Sequence, residues 1–323
     1  MATTGTFTKN DNGFADVPMS KALGTNSRAD IYQRVTDAII LNLEQGVRPW
    51  IKPWTSAGGT TRPLRHDGTP YRGINVLVLW SEAAARGYAS STWMTYRQAT
   101  ILGGQVRKGE QGTTVVYAKV IERSDKADQS DTTSADPIAT TRIPVLRAYN
   151  VFNVDQIDGL SDTAPSQTLI SDSLSGRIER ADAFIATSGA DIVHRGSRAC
   201  YVPSADRIEM PPYHQFVDTQ TASAAEGYYA TLLHELVHWT SPKSRCDRDL
   251  GKRFGDNAYA REELVAEIGA AFLCADLGIT LEPRLDHAAY LASWLAVLKA
   301  DKRAIFSAAA LAQKAVDWLA EPR

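Results

Sequence analysis

Residues 223–239 read SAAEGYYATLLHELVHW, and the organisation of the whole chain is read outward from them. Ser223 followed three residues later by Glu226 is a capping-box signature, so a helix is expected to start there. On that helix His234 and His238 are four residues apart. They project from one face, one turn apart, and two imidazoles so placed reach a single tetrahedral ion. Glu235 sits next to the first histidine, beside the open coordination position, where it takes a proton from water. Leu232, Leu233, Leu236 and Val237 are expected to bury the helix and keep the site dry except at its open face. With six His in the chain, chance production of HExxH is expected in fewer than ~1% of such sequences, so coincidence is a poor account. The residues predict a zinc-metallopeptidase-type site with Glu235 as general base.

A third ligand is available downstream. Residues 259–278, YAREELVAEIGAAFLCADLG, read as a strong helix with Glu263 and Glu267 one turn apart on one face and Leu264, Ile268, Ala271, Phe272 and Ala275 forming the apolar side. Carboxylates facing inward from so apolar a helix are costly to bury unpaired, and a cation with its histidines removes that cost. Glu263 is assigned as the third ligand. Glu267 is assigned as acceptor for an imidazole N–H, fixing the ring's tautomer. Glu262 competes for the ligand role but lacks an inward partner four residues on. The donor set favours zinc (Zn2+); manganese and cobalt fit similar sites. Tyr259 and Tyr290 are alternatives for an oxyanion partner. Cys246, Cys274, His214 and His287 read as structural.

Upstream of this site the chain changes character. Residues 1–123 hold 15 Lys/Arg against 9 Asp/Glu, whereas the whole chain, with 35 against 37, is nearly neutral. Such a split suggests that the halves meet different partners. The three cysteines, Cys200, Cys246 and Cys274, are widely spaced with no CxxC, which fits a reducing compartment. No apolar run approaches the ~18 residues of a membrane span, and the N-terminus has no apolar leader segment. A cytoplasmic bacterial protein that meets no membrane is expected.

An α+β fold of two domains is predicted, the first mixed α/β and the second mostly helical with a small sheet. Residues 1–27 read as a flexible arm. In the first domain, 28–160, helices are expected over about 31–43, over 75–86 with Gly87 as stop, and over 92–102 before Gly103 and Gly104. The stretch QVRKGEQGTTVVYAKVIER then reads as a hairpin about its Gly-rich turn, followed by a mobile loop at 124–141 that is rich in Ser, Thr and Asp. The boundary falls at about 159–168. The second domain, 168–323, is expected to open with a helix near 171–187, pass through short strands, and become helical from Ser223.

Residues 46–123 have 11 Lys/Arg against four Asp/Glu, interleaved with Trp and Tyr. Cations that track phosphates beside aromatics that stack on bases suit single-stranded nucleic acid. The contact candidates are Trp50, Lys52, Trp54, Arg62, Arg65, Tyr71, Arg72, Arg107 and Lys108, all in loops or beside turns. Trp80, inside INVLVLW, reads as core.

The stretches YQRVTDAIILNLEQGVRPWIKPW, YRGINVLVLW, TWMTYRQA, VRKGEQGTTVVY and YNVFNVDQIDGL, in that order, resemble the N-terminal domain of ArdC-type antirestriction proteins, a domain shared with some plasmid primases. IEMP, YYATLLHELVHWT and REELVAEIGAAFLCADLGI resemble the zincin-like (gluzincin) metallopeptidase domain of the same family. The resemblance implies a mobile-element protein that binds single-stranded DNA and protects entering DNA from host restriction during conjugation. It implies a divalent metal held by His234, His238 and Glu263, and strands around Tyr201–Val202 and Arg207–Met210 along which a peptide lies. Two alternatives stay open: a peptidase regulator that cleaves a host protein or peptide, and a DNA-binding protector whose metal is purely structural.

Overall fold

A computed structural model of the chain describes residues 28–45, 61–124, 140–160, 173–220, 222–251, 257–280 and 287–321. The expected arm, most of the loop at 124–141 and most of the domain boundary lie outside the described residues. Within them the fold is α+β and of two domains, as predicted. The first contains α1 (Arg28–Glu44), β1 (Leu64–Arg65), α2 (Ile74–Arg86), β2 (Thr92–Met94), α3 (Tyr96–Ile101), β3 (Gln105–Val106), β4 (Thr113–Ser124), β5 (Thr140–Asn153) and β6 (Ile157–Asp158). The second contains α4 (Leu174–Ser188), β7 (Asp191–His194), β8 (Cys200–Val202), β9 (Arg207–Met210), α5 (Ala224–Trp239), α6 (Asn257–Leu277), α7 (His287–Ala300) and α8 (Ala304–Ala320).

Two local expectations are corrected. The helix read over 92–102 begins only at Tyr96. Thr92, Trp93 and Met94 are β-prone and buried, and they pair with β1 on one side and β5 on the other. Thr95 then caps α3, its side chain accepting from the Gln98 N–H while Gln98 bonds back to the Thr95 N–H. The hairpin is also different from the one expected. β3 pairs with β6, and β4 pairs with β5 in a long antiparallel ribbon from Thr113↔Val151 to Ser124↔Thr140. The Gly-rich turn therefore joins two sheets, and the Ser/Thr/Asp-rich segment joins the ribbon's strands. β4 is an outer strand of its sheet. The Asn75 side chain meets the Val116 backbone there, accepting its N–H at 2.8 Å and donating to its carbonyl at 2.7 Å. That satisfies one register position of an otherwise open edge.

The halves share one core. The apolar face of α1 (Ile31, Val35, Ile39, Leu43) is buried although the helix lies in the first half, because it packs on α7. Tyr32 stacks edge-on against Phe306, and the Thr36 hydroxyl donates to the Lys302 carbonyl at 2.6 Å. Trp80 packs on Phe272 of α6. Arg62 lies in the same seam: its guanidinium donates to Gln313 at 2.9 Å and Asp276 at 2.7 Å and lies over the Phe272 ring. Breaking a fully buried pair costs about 3–5 kcal/mol. The Asp276 side chain is 43% exposed, so Arg62→Ala is expected to cost about 2–3 kcal/mol after that discount, read as a lowered urea midpoint of the whole chain.

Candidate metal centre

α5 starts where the sequence placed it. The Ser223 side chain accepts from the Glu226 N–H, and the Glu226 carboxylate takes the Ser223 N–H at 3.1 Å. Glu226 also pairs with Arg177 of α4 at 3.0 Å and accepts from the Thr280 hydroxyl at 2.7 Å. Burial opposes its charge, but these hydrogen bonds and Arg177 hold its carboxyl below the usual range. One carboxylate thus ties α4, the start of α5 and the segment after α6 together.

α5 and α6 cross at close range. A Cβ on Gly269 would lie 2.8 Å from the Val237 side chain, and a β-branched side chain in a helix has little freedom to move aside. Glycine therefore permits the approach that sets α6 carboxylates against α5 histidines. His234, Glu235, His238, Glu263 and Glu267 are all buried. The two Nε2 atoms are 3.2 Å apart, and the Glu263 oxygens lie 3.6 Å from His234 Nε2 and 3.5 Å from His238 Nε2. A tetrahedron with bonds of about 2.0–2.1 Å has edges of about 3.4 Å, so the three donors have the spacing that one ion requires. The other nitrogen of each imidazole faces a carboxylate. His234 Nδ1 faces Glu267 at 3.4 Å, and His238 Nδ1 bonds Glu262 at 3.2 Å.

Glu262 has no inward partner four residues on, but it has two from other elements. Besides His238 it takes Arg248 Nη2 at 2.8 Å and Nε at 3.0 Å, in a pair that is almost wholly buried. Arg248 also donates to the Val237 carbonyl and the Thr240 hydroxyl, closing the end of α5. The apolar surroundings of α6 were the available signal. The helix is buried on nearly every side, so no glutamate in it was free of the need for a partner. Burial acts against a charged His238, but hydrogen bonds donated by its ring to Glu262 and Glu263 outweigh it and raise its pKa to about 10. Burial likewise opposes the charge on Glu262 and Glu263, yet their cationic neighbours hold both well below the usual carboxylate range. The carboxylates around His238 suit the site to positive charge, and His234, His238 and Glu263 would hold a divalent ion with His238 neutral. Glu262→Gln is expected to weaken metal binding about 10–100-fold, as for other residues that orient a ligating histidine, measured by competition with a chelating dye.

Glu235 lies beside this set, and its carboxylate accepts the Tyr201 N–H of β8 at 3.0 Å. The order of the small sheet is β7-β9-β8, so β8 is an edge strand and β9 the central one. Of the two strands expected to form an edge, β8 lies at the edge and β9 does not. Asp206 and Arg245 steady β8: the Tyr201 hydroxyl donates to Asp206 at 2.9 Å, Arg245 pairs with Asp206, and its guanidinium lies 4.0 Å over Trp239. Cys246 and Cys274 are buried. The Tyr259 and Tyr290 backbones lie in α6 and α7, and the Tyr290 side chain is outside the described residues.

The nucleic-acid candidates differ in exposure and in partners. Trp50, Lys52 and Trp54 lie outside the described residues. Arg62 and Tyr71 are corrected: both are buried, one in the seam and one in the core, and burial raises the Tyr71 hydroxyl to about 12. Arg65 is exposed and lies over the Tyr71 ring. Arg72 is exposed and pairs with Asp317 of α8. Arg107 pairs with Glu110 and Asp158, and Lys108 is exposed beside it.

Two histidines from one helix, a glutamate from the next and a glutamate at the first histidine define a zincin-type divalent-metal centre. In agreement, residues 179–311 match the zincin-like metallopeptidase family, and residues 29–152 match the N-terminal domain of the anti-restriction factor ArdC. The chain belongs to the ArdC antirestriction family. It is 47% identical to the antirestriction ArdC protein from plasmid R388 in its metal-free crystal structure, with a TM-score of 0.73, covering 90% of this chain and 96% of that one. The Mn(II)-bound crystal structure of that protein gives 48% identity and a TM-score of 0.71, over 90% and 97% of the chains. An uncharacterised Sinorhizobium fredii protein, y4eC, is 45% identical over 90% of this chain and 91% of its own. An Escherichia coli DNA primase, TraC, is 40% identical, but the chain spans only 27% of its length. Among the described residues no helix is long and apolar enough to cross a membrane.

Proposed function

We propose that this protein binds single-stranded DNA through residues 28–160 and carries a hydrolytic metal centre in residues 168–323. By these it would protect incoming DNA from host restriction during conjugation. The observation that carries the hydrolytic part is the three-donor set with an intact Glu235 next to it. His234, His238 and Glu263 would hold zinc or manganese, and Glu262 and Glu267 would orient the imidazoles. The ion, when bound, supplies Lewis acidity for attack on a carbonyl. Glu235 accepts the proton of the attacking water and returns it to the leaving amine, with Tyr201 N–H holding the carboxylate in place. The β8 edge offers an extended peptide backbone hydrogen bonds next to that carboxylate. The DNA part is supported by family membership, by the basic balance of the first half and by a primase among its relatives.

Binding of a labelled single-stranded oligonucleotide by the whole chain, titrated over salt with a duplex of the same sequence as control, tests the DNA part. Salt-sensitive binding that prefers the single strand is expected. Equal or stronger binding of the duplex would overturn it.

A further inference from the structure

The sequence candidates for DNA contact do not include the β4–β5 ribbon, yet that ribbon presents an exposed aromatic and basic face. The register places Tyr117 opposite Arg147 and Tyr149 opposite Val115. Side chains alternate along a strand, so Val115, Tyr117, Arg147 and Tyr149 share one face of the ribbon. Toward the body of the protein that face is core: Val115 and Val151 are buried. Immediately beyond, it emerges into solvent with Tyr117 51% exposed, Tyr149 44% exposed and Arg147 exposed. The two tyrosines are diagonal neighbours across the strands, a relation that sets residues about 7–8 Å apart. Among the described residues neither hydroxyl has a hydrogen-bond partner and Arg147 has no ion pair.

We propose that this face, with Tyr117 and Tyr149 as rings and Arg147 as cation, is a base-stacking platform for single-stranded DNA. The proposal rests on the single-strand reading above and names where that strand lies. An exposed phenol ring on a rigid strand offers a flat apolar surface at little entropic cost, because only two side-chain torsions need fixing. Each ring takes one base. A residue spacing of about 7–8 Å is roughly two ~3.4 Å base steps, so the rings engage bases separated along one strand. The Arg147 guanidinium, opposite Tyr117, neutralises a phosphate between them. Every base has a π-face, so such a site reads strandedness and not sequence. A duplex, whose bases are already stacked, gains nothing from the rings. Incoming DNA of any sequence would be held alike, which is what general protection requires.

The test uses the whole chain and fluorescence anisotropy with a labelled oligothymidylate. Tyr117→Ala and Tyr149→Ala are each expected to weaken binding about 5- to 150-fold, whereas Tyr117→Phe and Tyr149→Phe keep it. Arg147→Gln is expected to lower the slope of log affinity against log salt by about 0.7. All variants should retain wild-type metal content, because the ribbon is remote in sequence and sheet from the metal donors; this reports an intact fold. If the wild type binds the single strand and the alanine variants bind it equally well, the platform is wrong while the single-strand reading stands. If the phenylalanine variants lose as much as the alanine variants, stacking is wrong. If the wild type binds no single strand, both readings fail together.

Discussion

His238→Ala is expected to empty the metal centre, lowering metal affinity by at least about 10³-fold, beyond the 10–100-fold typical of residues outside the ligand set. The substitution removes one donor of the three and also one of the two partners of Glu262. Among the described residues Glu262 then keeps Arg248 as its neighbour and Glu263 keeps His234. The whole-chain protein, purified and measured by plasma emission spectrometry, should fall from about one divalent ion per chain to below a tenth. A variant that keeps a full equivalent would mean that the ion sits elsewhere. Loss of the ion should also lower the midpoint of thermal unfolding, since binding to the native state alone adds stability.

Glu235→Gln is expected to do the opposite: to keep the ion and lose the chemistry. Glutamine has nearly the same shape, and its carbonyl oxygen still accepts from the Tyr201 N–H. It has no basicity, and general-base catalysis is worth about 10²–10⁴ in rate. Peptide hydrolysis, followed with a library of quenched fluorogenic peptides and manganese- or zinc-loaded protein, should fall by that factor at unchanged metal content. The same variant, tested for protection of conjugated DNA in a restricting host, separates the readings of the site. Protection that survives with the ion in place would make the metal structural and remove Glu235 from the biological function.

Much of the metal centre was legible because helical spacing is local. The HELVH stretch and the 263/267 pair each lie within one or two turns, and the 3.6-residue period brings their side chains to one face whatever the rest of the chain does. Glu262 was not legible by the same rule. Choosing an inward face presumes that the helix has an outward one, and α6 has almost none. Arg248 was hidden because it arrives from a loop, with no period to place it. In the first half, the sequence located helices by their stops, as at Gly87, where the backbone is left-handed and closes α2. It misread Thr92–Met94 because helix-forming residues follow directly after Thr95. Strand partners were the least legible, since β4 meets β5 across residues 125–139 and no local pattern encodes that pairing.

The packing of α1 on α7, and its contacts with Lys302 and Phe306, has a bearing on biosynthesis. Thr36 and Lys302 are 266 residues apart in the chain. At roughly 5–20 residues per second on the ribosome, the first helix waits tens of seconds for the surface that covers its Ile31, Val35 and Ile39 stripe. During that interval the nascent chain exposes an amphipathic segment and half of a shared core, the condition under which holdase chaperones bind and premature association occurs. The donors for the ion arrive between the two ends of that seam. α6, which carries Glu263, packs on α7 and α8, so the surroundings of the centre are complete only once those later helices have followed it from the ribosome.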